Sequence, residues 1–110
     1  LGLPKVPRDA HPWRLAHGSL GIALAGLRIA HVLADARLAR AMRQVALRCL
    51  EAASRCPNSE NAVVLSWCGG QLGASVAAMS CGLYVGDSEL LDAARDLCAR
   101  ILAGAVAVPR

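Results

Sequence analysis

Ser66-Trp67-Cys68-Gly69-Gly70-Gln71-Leu72-Gly73 brings a thiol, an aromatic ring and a glycine-spaced helix start together within eight residues. Glycine at 69, 70 and 73 lets the backbone turn sharply and approach a neighbouring segment, and the small, uncharged run from Leu72 to Leu83 continues it as a helix. Cys68 is thereby expected near a helix N terminus. Unpaired amides there carry partial positive charge and favour the thiolate, the form that ligates metal or attacks an electrophile. The plainer alternative is a buried structural cysteine at a tight turn, where cysteine acts as a small hydrophobe.

Upstream, Ala16-His17-Gly18-Ser19-Leu20-Gly21-Ile22 repeats the same glycine spacing, with His17 standing where Gly69 stands. Each copy opens a nearly uncharged helical run, Leu20 to Leu33 and Leu72 to Leu83. A short turn carrying an acid follows, Asp35 or Asp87, and then a charged amphipathic run. Two copies of one helix-pair unit thus account for most of the chain. A unit of this kind cannot bury its apolar face alone, so the copies must stack.

Periodicity assigns the helices to layers. From Ser19 to Leu33 apolar residues appear on all sides, interrupted by Arg28 and His31, which is the pattern of a buried helix, with His31 as a core or interhelical hydrogen-bonding residue. From Arg37 to Ala53, Leu38, Met42, Val45, Ala46, Cys49 and Leu50 share one face, while Arg37, Arg40, Gln44, Arg48 and Glu51 form a solvated stripe. The turn at Ala34-Asp35-Ala36 is short enough to require an antiparallel pair. The second unit repeats the order. Gly86-Asp87-Ser88 turns and caps, and Ser88 to Leu102 puts Leu90, Leu91, Ala94, Leu97, Cys98, Ile101 and Leu102 inward. The result is an all-α, two-layer arrangement of inner and outer helices. Ala62 to Leu65 is strand-like by propensity but has no partner segment, so it reads as an extended approach to the second unit.

Composition narrows the function classes. Hydrophobic residues make up 55% of the chain with no Phe, so close packing of Ala, Leu, Val and Gly replaces aromatic filling. The uncharged stretch 61–86 is diluted by Ser, Asn, Gln and glycine and broken at Gly69-Gly70, which argues for a buried helix and against a membrane span. A net charge of +4 without interleaved aromatics or a recognisable module gives no nucleic-acid interface. Five cysteines, with no Cys-x-x-Cys pair and no signal peptide, argue against a disulfide framework and for a cytoplasmic setting. Cys49, Cys81 and Cys98 fall on apolar helical faces and are assigned to packing.

Ala16-His17-Gly18-x-x-Gly21-Ile22 followed by Ser66-Trp67-Cys68-x-Gly70-x-x-Gly73 resembles two successive motifs of the lanthionine synthetase C-like cyclases, over roughly residues 14 to 103. The resemblance implies two helix-pair repeats of an α/α toroid, an incomplete α/α barrel. Residues 1–14, with Pro4, Pro7 and Pro12, form an extended N-terminal segment; 15–110 form a partial cyclase domain, with repeats at 15–56 and 62–104. It also implies Cys68 as a zinc ligand and His17 as an acid/base group beside the metal. The later Cys-His-Gly motif that supplies the family's other two zinc ligands has no counterpart in this sequence. Gly69, Gln71 and Leu72 depart from the residues that members often carry after the cysteine.

The activity implied is addition of a cysteine thiol to dehydroalanine or dehydrobutyrine in a dehydrated precursor peptide, forming a lanthionine-type thioether ring. The α-carbon is then protonated, a step suited to a group such as His17 whose pKa lies near neutrality. The remaining cyclase repeats of a parent chain are the expected partners, and the 110 residues alone are expected to be inactive. The alternative, from a different class, is a non-catalytic helical-repeat module on the same scaffold that binds peptides or proteins.

Overall fold

The computed structural model describes residues 18–55 and 70–107, with side chains as far as 104. Four helices make up nearly all of these: α1 (Ser19–Leu33), α2 (Ala36–Arg55), α3 (Gln71–Val85) and α4 (Ser88–Ala107). Every boundary in the second pair falls 52 residues after its counterpart, Ser19 with Gln71 and Ala36 with Ser88. The repeat read from the glycines therefore extends to the turns, and the described residues hold no strand. Ala62 to Leu65 lies outside them.

The two hairpin turns are built alike. α1 ends in a left-handed residue, Ala34 (φ 54°), and α3 in Gly86 (φ 74°). Immediately after each, an aspartate amide reaches back five residues: Asp35 N to the Ala30 carbonyl and Asp87 N to that of Gly82, both at 2.9 Å. Their carboxylates then start the next helix, Asp35 Oδ1 accepting from Leu38 N and Asp87 Oδ1 from Leu90 N, both at 3.1 Å. A left-handed cap followed by an aspartate N-cap fixes the reversal within two residues, so each pair is antiparallel.

The pairs stack through a single core. Leu20, Ala23, Leu24 and Leu27 of α1 join Ala46, Cys49 and Leu50 of α2, Ala74, Ala78 and Cys81 of α3, and Leu90, Ala94, Leu97 and Ile101 of α4. Small residues set the spacing. A Cβ on Gly26 would lie 2.6 Å from Met42 Cγ, and one on Gly82 would lie 3.0 Å from the backbone nitrogen of Leu91. The helices of each pair thus approach closely where they cross, which is how a chain without Phe fills its interior.

Between the pairs, Gly21 and Ala25 share a groove with Val76 and Ala77, and further along His31 meets Tyr84. Contacts climb both helices together, so α1 and α3 run parallel and begin at the same end. Among the described residues no helix is long and apolar enough to cross a membrane.

Several side chains depart from their expected positions. α1 is not buried all round: Ile22, Ile29, Val32 and Leu33 are exposed, because only α2 and α3 cover it. His31 is exposed rather than in the core, its ring set edge-on to Tyr84 with centroids 5.2 Å apart. On α4, Leu102 is exposed, since the helix presents only the Leu90, Ala94, Leu97 and Ile101 stripe to its neighbours. The polar stripe of α2 is solvated as expected, and Cys49 and Cys81 are buried.

Candidate functional site

The inner and outer helices begin in opposite ways. α2 and α4 start with an aspartate whose side chain binds the first turn, whereas α1 and α3 start with Gly18 and Gly70, which offer no side-chain cap. Both glycines are extended, at φ −113°, ψ 168° and φ −103°, ψ 160°, and neither first turn carries an acid. Among the described residues the opening amides of α1 and α3 thus have no side-chain acceptor, at the end where the two parallel helices begin. Such ends favour negative charge, including a thiolate or a developing enolate.

His17 and Cys68 adjoin these helix starts in sequence, one and two residues before Gly18 and Gly70. Both lie outside the described residues, so the structure supplies no geometry for either. In repeat register they are one position apart, Cys68 corresponding to Ala16 and Gly69 to His17.

Below the helix starts runs a groove of about 500 Å³ between α1 and α3, lined by Gly21, Leu24, Ala25, Arg28, Val76, Ala77 and Ser80. One cation marks it. Arg28 Nη2 donates to Ser80 Oγ at 3.2 Å, and its guanidinium carbon sits 5.0 Å from the centre of the Tyr84 ring, a cation–π contact. Arg28 and Ser80 are themselves equivalent positions of the repeat.

Gln71, inside the Trp-Cys motif, holds the start of α3 to the end of α2. Its side chain is buried and Nε2 donates to the Ala53 carbonyl, one of the last four of α2 that lack an intrahelical donor. Its Oε1 is buried with no partner among the described residues. In the sequence Gln71 stands out as a departure from the family pattern, and a polar residue opening an uncharged helix is the signal of this role.

Cys49 and Cys81 belong to the packed core. Burial pushes the thiols of Cys49 and Cys81 up from the ordinary range; for Cys81, Arg28 works in the opposite direction without overcoming it. Both stay protonated at neutral pH. Among the described residues no three His, Cys, Asp or Glu side chains come together to hold a metal. The described helices thus bring no such group together, and Cys68 of the Trp-Cys motif lies outside them.

The sequence profile of the family described as "Lanthionine synthetase C-like protein" matches residues 6–104, both helix pairs and both motif copies included. The chain belongs to the lanthionine synthetase C-like family. No curated protein and no solved structure matches it. For a lanthionine synthetase C-like chain, the paired inner helices and outer helices are the expected all-α repeat architecture.

Proposed function

We propose that this chain is part of a zinc-dependent lanthipeptide cyclase, in which Cys68 gives one metal ligand and His17 moves the proton. The single observation that carries the reading is the placement of the two motifs. Within a family match over 6–104, His17 and Cys68 lie one and two residues before Gly18 and Gly70, the glycine N-caps of two parallel inner helices.

Zinc in the complete domain would lower the pKa of a substrate cysteine so that its thiolate is present at neutral pH. The described residues do not complete a ligand set, so the remaining donors are assigned to the other cyclase repeats. Ring closure joins the substrate sulfur to the β-carbon of a dehydroalanine or dehydrobutyrine, and the π electrons move onto the α-carbon and its carbonyl. His17 as imidazolium then gives a proton to that α-carbon. The open amides at the starts of α1 and α3 favour the negative charge that precedes this transfer. The α1–α3 groove, apolar apart from Arg28 and Ser80, suits the flanking residues of a dehydrated precursor peptide. A cytoplasmic setting fits the need for reduced thiols in both enzyme and substrate.

The test is His17→Asn in the domain that includes the remaining repeats, following loss of free substrate thiols by alkylation. Ring closure should slow about 100-fold or more while zinc content is unchanged. Loss of zinc from this variant would mean that His17 is a ligand and that the proposed role is wrong.

A further inference from the structure

We propose that Arg28 binds a carboxylate of the peptide that lies in the α1–α3 groove, and so selects which peptides are held there. The proposal rests on the cyclase reading for where the peptide's cysteine sits. The carboxylate contact itself does not depend on it.

Arg28 differs from the other arginines in what holds it. Arg43 binds Asp87 and Glu89, and Arg55 binds Glu51. Arg37, Arg40 and Arg48 have no carboxylate partner among the described residues, but they stand exposed on the outer helix α2. Arg28 also has none, yet it is half-buried and lines a groove whose other walls are Leu24, Ala25, Val76 and Ala77. Two neutral groups fix its guanidinium, Ser80 Oγ at 3.2 Å and the Tyr84 ring with its centre at 5.0 Å. They hold the fork in place without cancelling its charge. A cation fixed in this way beside apolar walls is ready for an anion, and little ordering remains to be done when one arrives.

The charge count selects the kind of anion. One guanidinium balances one monoanion, whereas a phosphate dianion would carry a second, unbalanced charge into an apolar groove. The planar fork also matches a carboxylate, and Ser80 occupies only one of its five N–H donors. Position then sets the spacing. Among the described residues only α1 and α3 line the groove, so it runs along two parallel helices and suits an extended chain. Ser80 and Tyr84 lie nine and thirteen residues after Gln71, the first residue of α3. The guanidinium they hold is therefore about 14–20 Å from the helix starts, which an extended peptide spans in about four to six residues. A peptide whose cysteine is held at those starts would thus bring to Arg28 a carboxylate about five residues away, from an acidic side chain or from the end of the chain.

Fluorescence anisotropy with the complete domain and three labelled peptides is the test. The first peptide has one cysteine, a glutamate about five residues to either side of it, and an amidated end; the second has glutamine in both places; the third is the glutamine peptide ending in a free carboxylate about five residues after the cysteine. The first, the third or both should bind at least about 10-fold more tightly than the second, and which of them does so identifies the side chain or the chain end as the source. Added salt should weaken this preference, and Arg28→Gln should remove it. Ser80→Asp places a carboxylate beside Arg28 and should also remove it with the arginine still present, which keeps the test decisive if circular dichroism shows that Arg28→Gln has lost its helices. Equal binding of the three peptides, no binding of any, or a preference that survives in either folded variant would overturn the assignment. A domain that shows the preference but closes no ring on a dehydrated peptide would sink the cyclase reading and leave the carboxylate site standing; ring closure with equal binding would do the reverse.

Discussion

Arg43 Nε donates to Asp87 Oδ2 at 2.5 Å, tying the outer helix of the first pair to the turn inside the second. The same guanidinium binds Glu89 through Nη2, and the two carboxylates raise the Arg43 pKa above its ordinary value, the hydrogen bond that Arg43 donates to Asp87 contributing most. Asp87 is 15% exposed, and its other oxygen caps α4, so one side chain serves both the turn and the junction between repeats.

Arg43→Met keeps most of the aliphatic stem and removes the charge. It leaves Asp87 partly buried without a cationic partner, so the expected loss is about 2 kcal/mol, the scale of a hydrogen bond to a charged group. Urea unfolding should show it. Arg95→Met, at the equivalent exposed position on α4, should change stability by less than about 0.5 kcal/mol, as surface substitutions do.

Ala34 and Gly86 occupy equivalent left-handed caps, and only Gly86 avoids the clash between Cβ and the carbonyl there. Ala34→Gly should therefore stabilise the protein by about 1 kcal/mol, less a few tenths for the freer unfolded chain. Gly86→Ala should cost a similar amount through backbone strain alone, since a Cβ at that position meets nothing within 4 Å. Equal and opposite shifts of the urea midpoint would confirm both.

Gln71→Ala removes the donor from the Ala53 carbonyl and opens a cavity between α2 and α3. A destabilisation of about 1–3 kcal/mol follows from the unpaired buried carbonyl. Gln71→Met loses the same hydrogen bond but fills the space and removes the unpartnered Oε1, so it should cost clearly less than Gln71→Ala. Comparing the two unfolding curves separates packing from polar satisfaction.

Burial raises the Cys49 and Cys81 thiol pKa values in the folded chain. The unfolded chain ionises first, near the ordinary thiol value of about 8.5, so it binds fewer protons than the native state above that pH. Stability is thus fully present below about 8.5 and falls as pH rises beyond it toward the folded values. Unfolding midpoints at neutral and alkaline pH should show this decline, and the Cys49→Ala, Cys81→Ala double variant should flatten it.

The repeat, the inner and outer layers and the antiparallel turns were legible because each depends on residues close in sequence: glycine spacing before α1 and α3, an aspartate after each left-handed cap, and a polar stripe on α2. What sequence could not fix were relations across the repeat. Nothing near Arg43 signals that it reaches the Asp87 turn, 44 residues on, and nothing near Arg28 signals its bond to Ser80. Exposure of Ile29 and Val32 is illegible for the same reason, because an apolar helix declares its need for neighbours without declaring how many it has. For the site, the motifs name His17 and Cys68, and the structure adds the uncapped, parallel helix starts that follow them.

Zinc content of the complete domain with Cys68→Ala, measured by elemental analysis, tests the central claim most directly. The proposed ligand role predicts that zinc per chain and ring-forming activity fall together, because one of few protein donors has gone. Full retention of zinc in that variant would remove Cys68 from the metal site and contradict the account.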